Sequence, residues 1–156
     1  MKKILKKFWW VLLLLIGGAV VFAKRRTIFT KSNTLKGTMG KGITYYCPQN
    51  KVSQKLLDIL NKISEEVYNK YQYDLYRKTS SVFRCEPYNK IVGGSPSSSH
   101  IKGLAADLKL TKEQAINVIK IAKKHGVKRF LWYPAPNMHL HMDIDTDKPP
   151  VEYFYG

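Results

Sequence analysis

The sequence predicts an α+β fold, a small and mostly antiparallel sheet with flanking helices, preceded by one N-terminal membrane helix. Three observations lead there. Two stretches, opening at Ser53 and at Thr111, repeat apolar residues at helical spacing. Short strand-like segments follow in their own runs, without strict strand–helix alternation. Ahead of everything lies an unbroken apolar run between clusters of cations. The chain shows no internal repeat.

Residues 1–7 form a basic tail carrying Lys2, Lys3, Lys6 and Lys7. Residues 8–23 are uninterruptedly apolar, and Lys24-Arg25-Arg26 closes them. A cleaved signal sequence and a transmembrane anchor both fit, with Val21-Phe22-Ala23 as the cleavage site in the first case. The length of the run, Trp9 and Trp10 at interfacial depth and the cations immediately after it favour the uncleaved anchor. Cations on both flanks leave the orientation unset, because the positive-inside rule needs an imbalance. Residues 24–44, polar and holding Gly37, Gly40 and Gly42, read as a linker. The folded domain is then 45–156.

Within it, Ser53 stands where a helix cap belongs, and Leu56, Leu57, Leu60, Ile63, Val67 and Tyr71 follow on one face. Leu75 to Phe83 reads as a strand that delivers Arg84 at its end. Ile91 to Ser99, rich in Gly, Ser and Pro, is a loop leading into His100. Asp107 to Leu110 reads as a short strand with the aspartate at its start. Thr111 and Gln114 make a capping box for a helix bearing Ala115, Ile116, Ile119 and Ala122, which Gly126 stops. Arg129 to Tyr133 and Met138 to Ile144 are strands joined through Pro134-Ala135-Pro136-Asn137, and Val151 to Tyr155 adds an edge strand.

Lys and Arg number 27 against 11 Asp and Glu, a formal net charge of +16. A balance so basic favours a polyanionic neighbour: nucleic acid, an anionic membrane surface or anionic cell-wall polymers. No RNP-like or helix-turn-helix pattern organises the aromatics, so no specific nucleic-acid partner is indicated. The two cysteines, Cys47 and Cys85, are not spaced as a metal-binding Cys-x-x-Cys. They remain open between buried thiols and a disulfide, which needs an oxidising compartment.

The chemistry gathers in two places, His100 with Asp107 and His139 with His141 and Asp143. Imidazole nitrogen and carboxylate oxygen are zinc ligands, and three of them with an open fourth position describe a catalytic site, not a structural one. His139 and His141 are expected on opposite faces of their strand, so that one is an easy ligand and the other is free for a different task. His125, near the end of a lysine-rich helix, reads as an ordinary surface or satisfied core histidine.

In chain order, Ser81-Val82-Phe83-Arg84-Cys85-Glu86-Pro87-Tyr88-Asn89, then Gly93-Gly94, then Ser98-Ser99-His100-Ile101-Lys102-Gly103-Leu104-Ala105-Ala106-Asp107, then Leu140-His141-Met142-Asp143 resemble the zinc D-Ala-D-Ala carboxypeptidase family. That family includes phage peptidoglycan endopeptidases and has the hedgehog/DD-peptidase fold. The resemblance runs from about Tyr45 to the C-terminus. It implies a peptidase with one zinc ion acting on peptidoglycan peptides, with His100, Asp107 and His141 as ligands and Arg84 contacting substrate near the scissile bond. His139 falls where some members carry a second active-site histidine. Where relatives often place a glutamate base, three residues before the last ligand, this chain has Met138.

The residue chemistry agrees with these assignments. Arg84, always cationic, suits an oxyanion or a substrate carboxylate. His139 can accept a proton and return it. Asp143 is placed behind a ligand, fixing its tautomer, and Ser98 is expected to support the loop. Gly103 is expected to turn the backbone close to the metal. The expected protein is a peptidoglycan peptidase, a D-Ala-D-Ala carboxypeptidase or an endopeptidase, anchored in the membrane with its domain on the cell-wall side. Secretion after signal cleavage is the alternative location. The alternative function is an anchored, non-catalytic domain that keeps the metal and only binds wall peptide.

Overall fold

The computed structural model describes Phe29, residues 37–38 and 44–45, Cys47, and 51–156. The apolar run 8–23 expected to be an anchor lies outside the described residues. Among the described residues no helix is long and apolar enough to cross a membrane. Gly37–Thr38 (β1) pairs antiparallel with Thr44–Tyr45 (β2).

Leu56, Leu57, Leu60, Ile63 and Val67 recur every three or four residues and are buried along one stripe of Gln54–Tyr71 (α1). Burying five such side chains contributes on the order of 10 kcal/mol before chain entropy is counted. Ser53 occupies the cap position, but its side chain makes no capping bond; its backbone N–H donates to the Gly103 carbonyl (3.0 Å) instead. That bond ties the start of α1 to the loop carrying His100.

The strand expected from Leu75 to Phe83 is largely not one. Asp74 accepts from the Arg77 N–H and starts a single helical turn, Leu75–Lys78 (α2). The Thr79 hydroxyl donates back to the Leu75 carbonyl (2.7 Å). Only Thr79–Ser81 (β3) is extended. Glu86–Ile91 (α3) follows, with Pro87 in its first turn, where a missing N–H costs nothing. Cys85, just before it, is joined to Cys47, which decides between the two readings of the cysteines.

Ala105–Leu108 (β4) is buried at every position, and Asp107 stands third in it rather than at its start. A strand covered on both faces has no polar–apolar alternation, so the sequence gives no phase for it. Thr111 and Gln114 close the capping box of Lys112–Lys124 (α4), and Gly126, at φ +83°, ends that helix as expected. Arg129–Tyr133 (β5), His139–Asp143 (β6) and Val151–Phe154 (β7) complete the chain.

The main sheet has the order β3-β4-β6-β5-β7; its first three pairings are antiparallel, and β7 runs parallel to β5 at the far edge. Alternation gives the sheet two unlike faces. Ala106, Leu108, Phe130, Trp132, Leu140 and Met142 join the buried stripes of α1 and α4 in one core. The opposite face carries the polar residues of the same strands.

Phe29, assigned to a linker by composition, belongs to this core at 3% exposure. Asn61 holds it by both backbone groups, donating to its carbonyl (3.1 Å) and accepting from its N–H (2.7 Å). The ring meets Tyr76 edge-on at 5.5 Å. A lone aromatic in a polar stretch has no period by which to recognise it.

Candidate metal centre

Strand register assembles the site. Asp107 on β4 lies directly opposite His141 on β6, and Leu131 on β5 flanks His141 from the other side. Two pairs along, on the same face, Asp143 sits between Ala105 and Arg129; at the strand end, Tyr133 is opposite His139. Directly opposed residues have Cβ atoms about 4.5–5.5 Å apart, so these side chains must interact.

His139 and His141 share this face, contrary to the expectation of opposite faces. Residues two apart on a pleated strand point the same way. The intervening Leu140 and the following Met142 are the ones turned into the core.

His100 arrives from the loop before β4. Its backbone carbonyl accepts from the Arg84 N–H (3.2 Å), and Ser98 Oγ accepts from its own N–H (3.3 Å). Ser98 therefore supports the loop through the His100 backbone. Gly103 completes the turn at φ +69°, and a Cβ there would collide with the Lys51 carbonyl oxygen. Glycine alone suits both demands.

Three ligand-capable atoms meet. His100 Nε2 lies 3.0 Å from Asp107 Oδ1 and 3.2 Å from His141 Nδ1, and the last two are 2.9 Å apart. With bonds of about 2.0–2.1 Å, ligand atoms around a tetrahedral zinc are separated by about 3.3 Å. The three distances come close to that edge. The Val82 carbonyl, which can only accept, lies 2.5 Å from His100 Nδ1. The proton is therefore on Nδ1, and Nε2 turns its lone pair to the shared point. Asp143 Oδ2 accepts from His141 Nε2–H (3.0 Å) and leaves Nδ1 for the same point. Two ring nitrogens and a carboxylate oxygen directed at one place repel each other unless a cation lies among them. The donor set fits zinc, and the cluster could hold a metal ion.

The electrostatics point the same way. Burial disfavours the charged form of His100 and lowers its pKa despite Asp107 beside it, keeping a ligand nitrogen free. Burial alone would raise the Asp107 carboxyl, but His100 and His141 hold it well below the usual carboxylate range. His141 is pushed down by burial and up by Asp107 and Asp143, and the two carboxylates win. A metal ion and a proton thus compete for His141 Nδ1.

Asp143 is itself firmly placed. It is 1% exposed, accepts from the Asp145 N–H (3.1 Å), and lies 3.1 Å from Arg129 Nε. Asp145 in turn accepts from Ser99 Oγ–H and pairs with Lys102. Arg84 donates through Nε to Ser81 Oγ (2.8 Å), and its guanidinium pairs with Asp107 Oδ2. His139 donates from Nδ1 to the Asn137 carbonyl (2.5 Å) and stacks on Tyr133 at 4.6 Å. Burial and the neighbouring Tyr155 push the Tyr133 phenol up to about 12. His125 stands apart, paired with Glu66 of α1 (2.6 Å).

The structure thus brings His100, Asp107, His141, Arg84, His139 and Asp143 to one face. Sequence reasoning missed Tyr133, Ser81 and the Asp145–Lys102 pair. Only the alternation of Arg129, Leu131 and Tyr133 against buried Phe130 and Trp132 could have marked Tyr133. A family model described as Peptidase M15 matches residues 29–143, and no curated protein matches the chain.

Proposed function

The chain belongs to the peptidase M15 family, and on that premise we propose that it is a zinc peptidase hydrolysing peptide bonds of peptidoglycan stem peptides, as a D-Ala-D-Ala carboxypeptidase or an endopeptidase. His100, Asp107 and His141 are the proposed ligands. The observation that carries the reading is their convergence, with the outer ring nitrogens of both histidines engaged by Val82 and Asp143. Bound there, zinc supplies a water of pKa about 7 and polarises the scissile carbonyl.

The remaining roles fall to groups around that centre. Arg84, held by Ser81 and Asp107, keeps a rigid fork of donors beside the reacting carbonyl. It stabilises the charge that builds on the carbonyl oxygen. His139 carries its proton on Nδ1, so Nε2 is free to accept one from the attacking water and pass it to the leaving amine. Met138 occupies the position of the glutamate base of relatives, which leaves this work to His139. Tyr133 retains its proton across the neutral range and serves as a donor to substrate.

The domain is proposed to work outside the cytoplasm, held to the membrane by residues 8–23. The Cys47–Cys85 bridge supports an oxidising compartment, and the net charge of +16 supports attraction to anionic wall polymers. Zymography on purified peptidoglycan, with mass spectrometry of the released muropeptides, tests the reading. Zinc-dependent clearing that a chelator abolishes is expected. Wall binding without any released fragment would instead favour the non-catalytic alternative.

A further inference from the structure

Two cavities adjoin the metal centre, one of about 900 Å³ and one of about 310 Å³. They share Arg84, Gly93, Gly94, Asp107, Tyr133 and His139 among their walls. Asp107 and Arg84 therefore stand where the two meet, in the middle of one groove and not at the bottom of a pit. A pocket for a single terminal alanine needs far less room than the larger arm offers.

The charges of that larger arm are one-sided. Among the described residues Asp107 is the only acid in its walls, and Arg84 already pairs with it. Lys78 and Lys109 also line it. The end of α2 and the end of β4 bring them together, the Lys109 N–H donating to the Lys78 carbonyl (2.7 Å). Lys109 is exposed and Lys78 half-buried, and neither is within salt-bridge distance of an acidic side chain among the described residues. Of the other cations near the centre, Lys102 pairs with Asp145 and Asp147 and Arg129 with Asp143, while Lys148 lines only the smaller arm. Two lysines on neighbouring backbone segments, in a cleft whose carboxylate is already paired with Arg84, concentrate anions there. Ser80, Thr111 and Gln114 add polar groups to the same walls.

We propose that an acidic peptide lies across the metal centre, with substrate on both sides of the scissile bond and a side carboxylate held between Lys78 and Lys109 in the larger arm. The proposal rests on the peptidase reading and makes the cut an internal one. The recognised chemistry is a carboxylate carried on a peptide, away from the bond that is cleaved.

The test uses two synthetic stem peptides, L-Ala-γ-D-Glu-L-Lys-D-Ala-D-Ala with its glutamate α-carboxylate free and the same peptide α-amidated. The zinc-loaded chain is compared with its Lys78→Ala/Lys109→Ala variant. The wild-type protein is expected to prefer the acidic peptide at least tenfold in kcat/KM, and the variant to bring that ratio near one. The products should be two fragments cut at an internal bond. An unchanged ratio in the variant, a wild-type ratio near one, or release of terminal D-alanine alone would overturn the proposal. Calorimetric titration of both peptides separates it from the peptidase reading. If neither peptide is cut but lysine-dependent preference persists in Kd, the groove assignment stands and the peptidase reading falls. Absence of that preference from Kd as well sinks the groove assignment.

Discussion

Replacing Asp143 with asparagine keeps the shape of the side chain and removes its charge. The wild-type carboxylate accepts from His141 Nε2–H at 3.0 Å and from the Asp145 N–H at 3.1 Å, and it lies 3.1 Å from Arg129 Nε. An amide can keep one or two of these bonds but cannot balance Arg129. Two separable effects are expected. Removing the partner of a fully buried ion pair costs about 3–5 kcal/mol. Here the loss is about 2–3 kcal/mol, because Arg129 is 21% exposed and also donates to the Pro149 carbonyl. Loss of the group orienting a metal-bound histidine weakens metal binding about 10–100-fold, or roughly 1.4–2.7 kcal/mol. Urea melts of the chelator-treated protein give the first quantity, and competition with a chromophoric chelator gives the second. Zinc affinity equal to wild type in a variant that is folded would refute the idea that Asp143 orients His141.

Three further substitutions probe the surroundings. His139→Ala should retain zinc while hydrolysis falls about 10²–10⁴-fold, the range for loss of a general base; near-normal turnover would assign proton transfer to another group. Cys85→Ser opens a loop spanning 38 residues and should cost about 4 kcal/mol by loop entropy, read as a lower denaturation midpoint that reductant no longer changes. Asp145→Asn addresses acid stability. Burial raises the Asp145 pKa, but bonds from Lys102, the Asp147 N–H and Ser99 lower it overall. The stabilisation is therefore present above the unfolded pKa near 3.9 and is lost as pH falls through the folded value. The variant should be less stable at pH 7 and show a flatter decline below about pH 5; parallel acid limbs would count against that linkage.

How much of this was legible beforehand depended on periodicity. The stripe from Leu56 to Val67 and the Thr111–Gln114 capping box identify α1 and α4 because each repeats over several turns or sits at a fixed offset. Arg129–Tyr133 shows as a strand because Phe130, Trp132 and Tyr133 are β-prone aromatics in a short run that Pro134 ends. Leu75–Lys78 is a single turn, too short for any period, so its β-prone neighbours Val82 and Phe83 drew it into a strand. Asp107 was misplaced within β4 because all four positions there are buried.

The site divides in the same way. Its donor types stand in the sequence as His100, Asp107, His141 and Arg84, since the chemistry of a ligand is a property of the residue. What brings them together is register, which pairs Asp107 with His141 and Tyr133 with His139. That pairing is long-range, and so are the Cys47–Cys85 bridge and the Lys102–Asp145 pair. The Val82 carbonyl that sets the His100 tautomer leaves no trace in residue identity at all. The face shared by His139 and His141, by contrast, follows from strand geometry alone, because residues two apart on a strand point the same way.

The central claim is that two imidazoles and one carboxylate hold a single zinc. It is tested most directly by the zinc content of the purified protein after dialysis against a weak chelator, measured beside its His141→Ala variant. One zinc per wild-type chain and near none in a folded variant is the expected result. Equal zinc in both proteins, or none in the wild type after zinc loading, would contradict it.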